Sequence, residues 1–168
     1  MAAVDPANIK WYLSGGASND SAAASLGGAR STETYVTEDA LFDDVSGAEA
    51  SAGHTDYRCI YVRNEDADTL SDCFVWIYSN TASEDTAITI GLDLAGKNAT
   101  ADTIATETTA PDPTVTFSAA ATKGGGLDVG DLAQNDYYAF WVKRVVSESA
   151  SAVTGDTYTL KIEGDSAA

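Results

Sequence analysis

The feature that most constrains the fold is a series of short apolar bursts with a period of two, separated by turn-forming text. In "YRCIYVRN", which begins at residue 57, Tyr57, Cys59 and Tyr61 point one way while Arg58, Ile60 and Val62 point the other. Both sides are largely apolar, which predicts a strand covered on both faces inside a sandwich. "CFVWIYS", residues 73–79, has the same two-sided character. The polar "NEDADTLSD" between them predicts a hairpin with a long acidic connection.

Further bursts follow. Residues 86–94 alternate with Ile88, Ile90 and Leu92 inward, and 113–119 read as a strand with Val115 and Phe117 on one face. "DYYAFWVKRVV", 136–146, sets Tyr138, Phe140 and Val142 against Ala139, Trp141 and Lys143. Residues 156–164 place Tyr158, Leu160 and Ile162 inward and polar residues outward, as in a strand with one solvent face. Upstream, weaker strands are expected at 33–37 and 40–45. Helical text is scarce: "KNATADTIATET" lacks a 3.6-residue stripe and allows a single turn at most. The pattern predicts an all-β, antiparallel sandwich, jelly-roll or immunoglobulin-like, over residues 31–168.

Residues 1–30 read differently. Ile9, Trp11, Tyr12 and Leu13 are large and apolar, and "SGGASNDSAAASLGG" behind them is nearly all small or polar. Two readings fit: an anchor on a Gly/Ala/Ser tether that grips another surface, or the first strand of the sandwich.

At 168 residues the chain is long enough to bury a core without staples. Its 26 acidic residues against 9 basic ones leave a net charge of −17, which disfavours nucleic acid and anionic membrane as partners. No apolar run approaches the ~20 residues of a membrane-spanning helix. The opening "MAAVDPANIK" lacks the basic and apolar regions of a secretory signal, so synthesis in a cytoplasm is expected.

Catalytic patterns are scarce. Cys59 and Cys73 lie in consecutive predicted strands and are expected to be reduced core residues. The lack of Cys-x-x-Cys or a histidine cluster argues against zinc. His54, the one histidine, falls in Gly/Ser text and reads as a surface residue, and no nucleophile elbow accompanies it. Asp66 with Asp68, and Asp128 with Asp131, supply oxygen donors of the kind calcium prefers, without EF-hand spacing. The glycine-rich stretches lack the P-loop lysine and a following helix. Lys143 and Arg144 are adjacent and face opposite ways, so they predict a surface ion pair and no basic patch.

Three stretches together, "IKWYLSGGASN…SLGGARS", "LFDDVSGAEASAGHTDYRCIYVRNEDAD" and "GDLAQNDYYAFWVKRVVSESASAVTGDTYTLKIEGD", resemble small virion structural proteins of tailed bacteriophages. The resemblance runs over most of the chain in patches and carries no active-site residues. It implies a β-sandwich present in many copies on the outer capsid surface. The role implied is a decoration or cement protein that binds the major capsid protein and neighbouring copies of itself, as a trimer or other symmetric cluster. The partner-binding residues expected are Ile9, Trp11, Tyr12 and Leu13. A neck, tail or baseplate component is the alternative of the same class. A glycan-binding module using Trp76, Tyr78 or Trp141 is the alternative of another.

Overall fold

The computed structural model describes residues 3–35 and 41–166, so the expected strands at 33–37 and 40–45 lie partly outside the described residues. The strands, in chain order, are β1 (Ile9–Leu13), β2 (Gly27–Gly28), β3 (Thr34–Tyr35), β4 (His54–Asn64), β5 (Leu70–Ser79), β6 (Thr86–Leu92), β7 (Ala101–Thr103), β8 (Leu127–Leu132), β9 (Tyr137–Val146) and β10 (Thr159–Ser166). A five-stranded sheet has the order β3-β1-β4-β9-β6, a three-stranded sheet β10-β5-β8, and β2 pairs with β7. Every pairing is antiparallel. The protein is an all-β sandwich, as the alternation predicts.

The expected hairpin between β4 and β5 does not form. β4 pairs with β1 and β9, whereas β5 crosses to the other sheet and pairs with β8 and β10. A period of two says which residues share a face but not which strand lies alongside. Here the two strands meet across the core: Ile60 and Val62 of β4 lie in one apolar cluster with Cys73, Val75 and Ile77 of β5. Asn64 holds the corner, its side-chain amide donating to the carbonyls of Asp68 (2.9 Å) and Leu132 (2.7 Å).

The five-stranded sheet is covered on both faces. Its inner face meets the three-stranded sheet through residues such as Ile60, Ile90, Phe140 and Val142. Its outer face carries Tyr12, Cys59, Tyr61, Ala139 and Trp141, packed under Ala101, Ile104 and Val115. Full burial of each large apolar side chain contributes roughly 1.5–3 kcal/mol, so both faces matter to stability.

The outer layer is where the structure departs most from the expected arm and tether. Ser14, Ser25 and Ser31 are wholly buried. The Cys59 amide donates to the Ser25 carbonyl (2.8 Å) and the Ile104 amide to the Leu26 carbonyl (2.9 Å), so 14–30 lies along the sheet. The boundary expected at residue 30 therefore cuts through a packed layer. At Gly27, with φ of +89°, a Cβ would sit 1.7 Å from the Asp102 carbonyl oxygen, so only glycine lets β2 approach β7. Residues 113–119 form no strand and make a single bridge, Ile90 to Ser118. They cross the outer face over Gly91, where a Cβ would meet the Thr116 carbonyl at 2.5 Å.

One helix escaped the periodicity. α1 (Gly47–Ala52) starts at a reciprocal cap: the Ser46 hydroxyl accepts from the Glu49 amide (3.3 Å), and the Ser46 amide donates to the Glu49 carboxylate (2.6 Å). The Ser-x-x-Glu spacing is the sequence signature of that cap.

Candidate functional site

Ile9, Trp11, Tyr12 and Leu13 are brought together as β1, an interior strand between β3 and β4. Tyr12 and Leu13 are buried in the chain's own core, and Trp11 packs edge-on against Phe140 with ring centres 5.8 Å apart. Burial, with a hydrogen bond to Glu65, raises the Tyr12 hydroxyl above its usual range. Of the two readings of this segment, the first-strand reading describes the structure. Ile9 and Trp11 keep some surface and line a groove of about 410 Å³ with Val4, Leu70, Leu160 and Ile162.

The acidic pairs are occupied by turn chemistry. The Asp66 carboxylate accepts from the amides of Asp5 and Asp68 (3.0 Å each) and from the Asn8 side chain (2.9 Å). Those hydrogen bonds, led by Asn8, hold it below the usual carboxylate range. Asp128 caps the Gly130 amide (2.8 Å), and Asp131 accepts from the Asp72 amide (3.0 Å). Among the described residues, neither pair joins a group of three His, Cys or carboxylate donors.

Cys59 and Cys73 are both free and buried, Cys59 under the outer layer of the five-stranded sheet and Cys73 on the three-stranded sheet facing the inner core. Burial pushes the Cys59 thiol well up and the Cys73 thiol to about 11. The aromatic candidates separate. Trp141 is core, its indole N–H donating to Asp93 (2.8 Å). Trp76 and Tyr78 stack edge-on at 5.5 Å on the outward face of β5, where Tyr78 is 63% exposed and Lys161 lies over both rings.

The main polar constellation sits where the inner core ends. Along β4 the inward face runs Val62, Ile60, Arg58, Asp56, His54, passing from apolar to charged. Asp56 is 1% exposed, Arg58 1% and Arg144 of β9 7%. The register sets Asp56 opposite Arg144, whose Nε and NH2 donate to Asp56 Oδ2 at 3.0 and 2.7 Å. Arg58 pairs with Glu107. The ring of Phe42 lies under both guanidiniums, 5.6 Å from Arg58 and 4.8 Å from Arg144. His54 Nε2 is 2.7 Å from Asp56 Oδ1 and 3.4 Å from Glu49 Oε1. Beside this cluster a cleft of about 820 Å³ opens between residues 42–51 and 149–158.

Two expectations change here. His54 begins a strand and is half-buried instead of lying in a surface loop. Arg144 belongs to a buried ion pair, whereas Lys143 points the other way, over Phe117. The local text hid this because a charge on a strand's inward face looks like any charge until its partner is known. Comparison of the chain with protein-family models, curated proteins and solved structures finds no match in any of the three.

Proposed function

We propose that this chain is a structural protein of a tailed-phage virion, placed on the outside of the head as a decoration protein. In this reading it ties neighbouring major capsid subunits and copies of itself together. The observation that carries the reading is where the resembling stretches fall. "YRCIYV" lies in β4, the Trp-Val-x-Arg segment lies in β9 paired to it, and "TLKIEGD" lies in β10. These parts of the resemblance fall on framework strands of the sandwich.

Two properties support the placement. A net charge of −17 suits a crowded exterior surface and suits a DNA-facing one poorly. The groove lined by Ile9, Trp11, Leu160 and Ile162 offers apolar surface at the sandwich edge for a capsid segment. Each such contact is weak, and a lattice of many copies is strong. Cryo-EM of the virion encoded with this gene tests the proposal. Hundreds of copies on the head are expected; a dozen or fewer at the tail would move the protein to the neck or baseplate, and absence from the particle would overturn a virion role.

A second reading, a glycan-binding module, is favoured by Tyr78 beside Trp76 on the outward face. Lys161 over both rings already occupies that platform, which places the reading second.

A further inference from the structure

The charged end of the core does more than close the sandwich. His54 and Asp56 stand two residues apart on β4 and so share a face. Glu107 is brought alongside by the Tyr57 amide, which donates to the Glu107 carbonyl (2.7 Å). One donor atom from each of the three residues lies within 4.8 Å of the others. We propose that His54, Asp56 and Glu107 form a binding site for a divalent transition cation of the zinc class.

The first support is an unmet valence. His54 Nε2 and Asp56 Oδ1 are both buried and 2.7 Å apart, yet neither makes a hydrogen bond. A carboxylate oxygen buried without a donor is costly. A cation in front of both atoms satisfies the oxygen's lone pair and the nitrogen's together.

The second support is the setting of the carboxylates. Asp56 Oδ2 is held by two donors of Arg144, and Glu107 Oε2 by Arg58. For Asp56, Arg144 on Oδ2 leaves Oδ1 turned toward His54, and Arg58 steadies the Glu107 carboxylate, the support that outer partners give metal ligands. The third is charge. Asp43, Glu49, Asp56 and Glu107 face Arg58 and Arg144, with Asp43 Oδ1 3.6 Å from Arg144 and Glu49 Oε1 3.4 Å from His54. Four carboxylates against two guanidiniums leave two negative charges, which one divalent cation neutralises.

The donor set selects the ion. One imidazole and two carboxylates suit zinc and its neighbours, whereas calcium takes six to eight oxygens. Glu107, with a side chain 36% exposed, opens the site to solvent and leaves a position for water. The ion would pin the segment around Glu107 to the start of β4, past the point where β1 ends. No Cys-x-x-Cys or histidine pair announces such a site, because a strand supplies two ligands at a spacing of two and a distant loop supplies the third. This inference stands apart from the virion reading.

The test is a calorimetric titration of the folded, metal-free full chain with zinc chloride, in excess magnesium to fill the diffuse acidic surface. One equivalent should bind, with a rise in Tm reversed by chelator. His54→Ala and the more exposed Glu107→Gln should each weaken binding tenfold or more. Cobalt should give a d–d spectrum that His54→Ala abolishes. Absence of saturable binding, or binding unchanged in both variants, would overturn the proposal. Circular dichroism of both variants guards against loss of fold, and Glu107→Gln decides the matter should His54→Ala not fold.

Discussion

The two faces of the five-stranded sheet are both covered, the inner more completely, and they are built in opposite ways. The inner face is closed by a second sheet, so regular strands meet regular strands, and its apolar residues follow the period of two. The outer face is closed by irregular chain, residues 14–30 and 101–118, rich in Gly, Ala, Ser and Thr. Tyr61 shows how that layer is held: its hydroxyl donates to the Gly28 carbonyl (2.6 Å) and accepts from the Ala101 amide (2.9 Å), tying both segments to the sheet. A covering layer therefore needs no hydrophobic pattern of its own, provided its backbone polar groups find partners and its side chains are small enough to approach.

The comparison is broken most severely on the inner face, at its charged end. Asp56→Ala removes the partner of a buried guanidinium and is expected to cost about 3–5 kcal/mol of unfolding free energy, read by urea denaturation. Asp56→Leu combined with Arg144→Met should recover most of that loss, because it removes the unpaired charge together with its partner. If the double variant is no more stable than Asp56→Ala, the inner face does not depend on charge pairing there.

On the outer face the expected effect is smaller and has a different cause. Gly91→Ala forces a methyl against the Thr116 carbonyl and the Val115 side chain, both 2.5 Å from the new Cβ. Displacing 113–118 should cost about 1–3 kcal/mol, with amide exchange quickening in that segment while the inner strands stay protected. Uniform quickening across both sheets would show that the two faces unfold as one unit.

The thiols give the finest probe, Cys59 under the outer layer and Cys73 facing the inner core. Neither should react with a thiol reagent at pH 7 in the folded state, since burial keeps both protonated. As the covering layer opens, Cys59 should label before Cys73, and the reverse order would mean that the irregular layer is the more stable of the two. The pH dependence follows from the raised Cys73 value. An unfolded thiol titrates near about 8.5, so the stability from burying it neutral is complete below that pH. It is lost progressively as pH rises from there through about 11, the folded value. Denaturation midpoints measured from pH 8 to 11 should therefore fall, and Cys73→Ala should flatten that slope.

What could be read from residue order was whatever depends on neighbours in the chain. The strands at β4, β5, β6, β9 and β10, and the two-sided burial of β4 and β9, follow from the alternation of Tyr, Ile, Val, Phe and Trp. The helix α1 is equally local, marked by the Ser46–Glu49 cap and not by an apolar stripe. The all-β class needed nothing further.

What depended on tertiary structure was every choice between distant partners. β5 crosses to the second sheet, where its Cys73, Val75 and Ile77 oppose Ile60 and Val62 of β4 across the core. Ile9–Leu13 is a strand because β4 offers it an edge and β3 closes its other side, and the covering layer closes because Gly27 lets β2 approach β7 and Gly91 lets Val115 and Thr116 approach the sheet. His54, Asp56, Glu107 and Arg144 belong to three separate stretches, and their meeting is set by the β4–β9 register and by the path of the covering layer. Side-chain spacing along one strand encodes a face, while the identity of what lies against that face is a property of the whole packed chain.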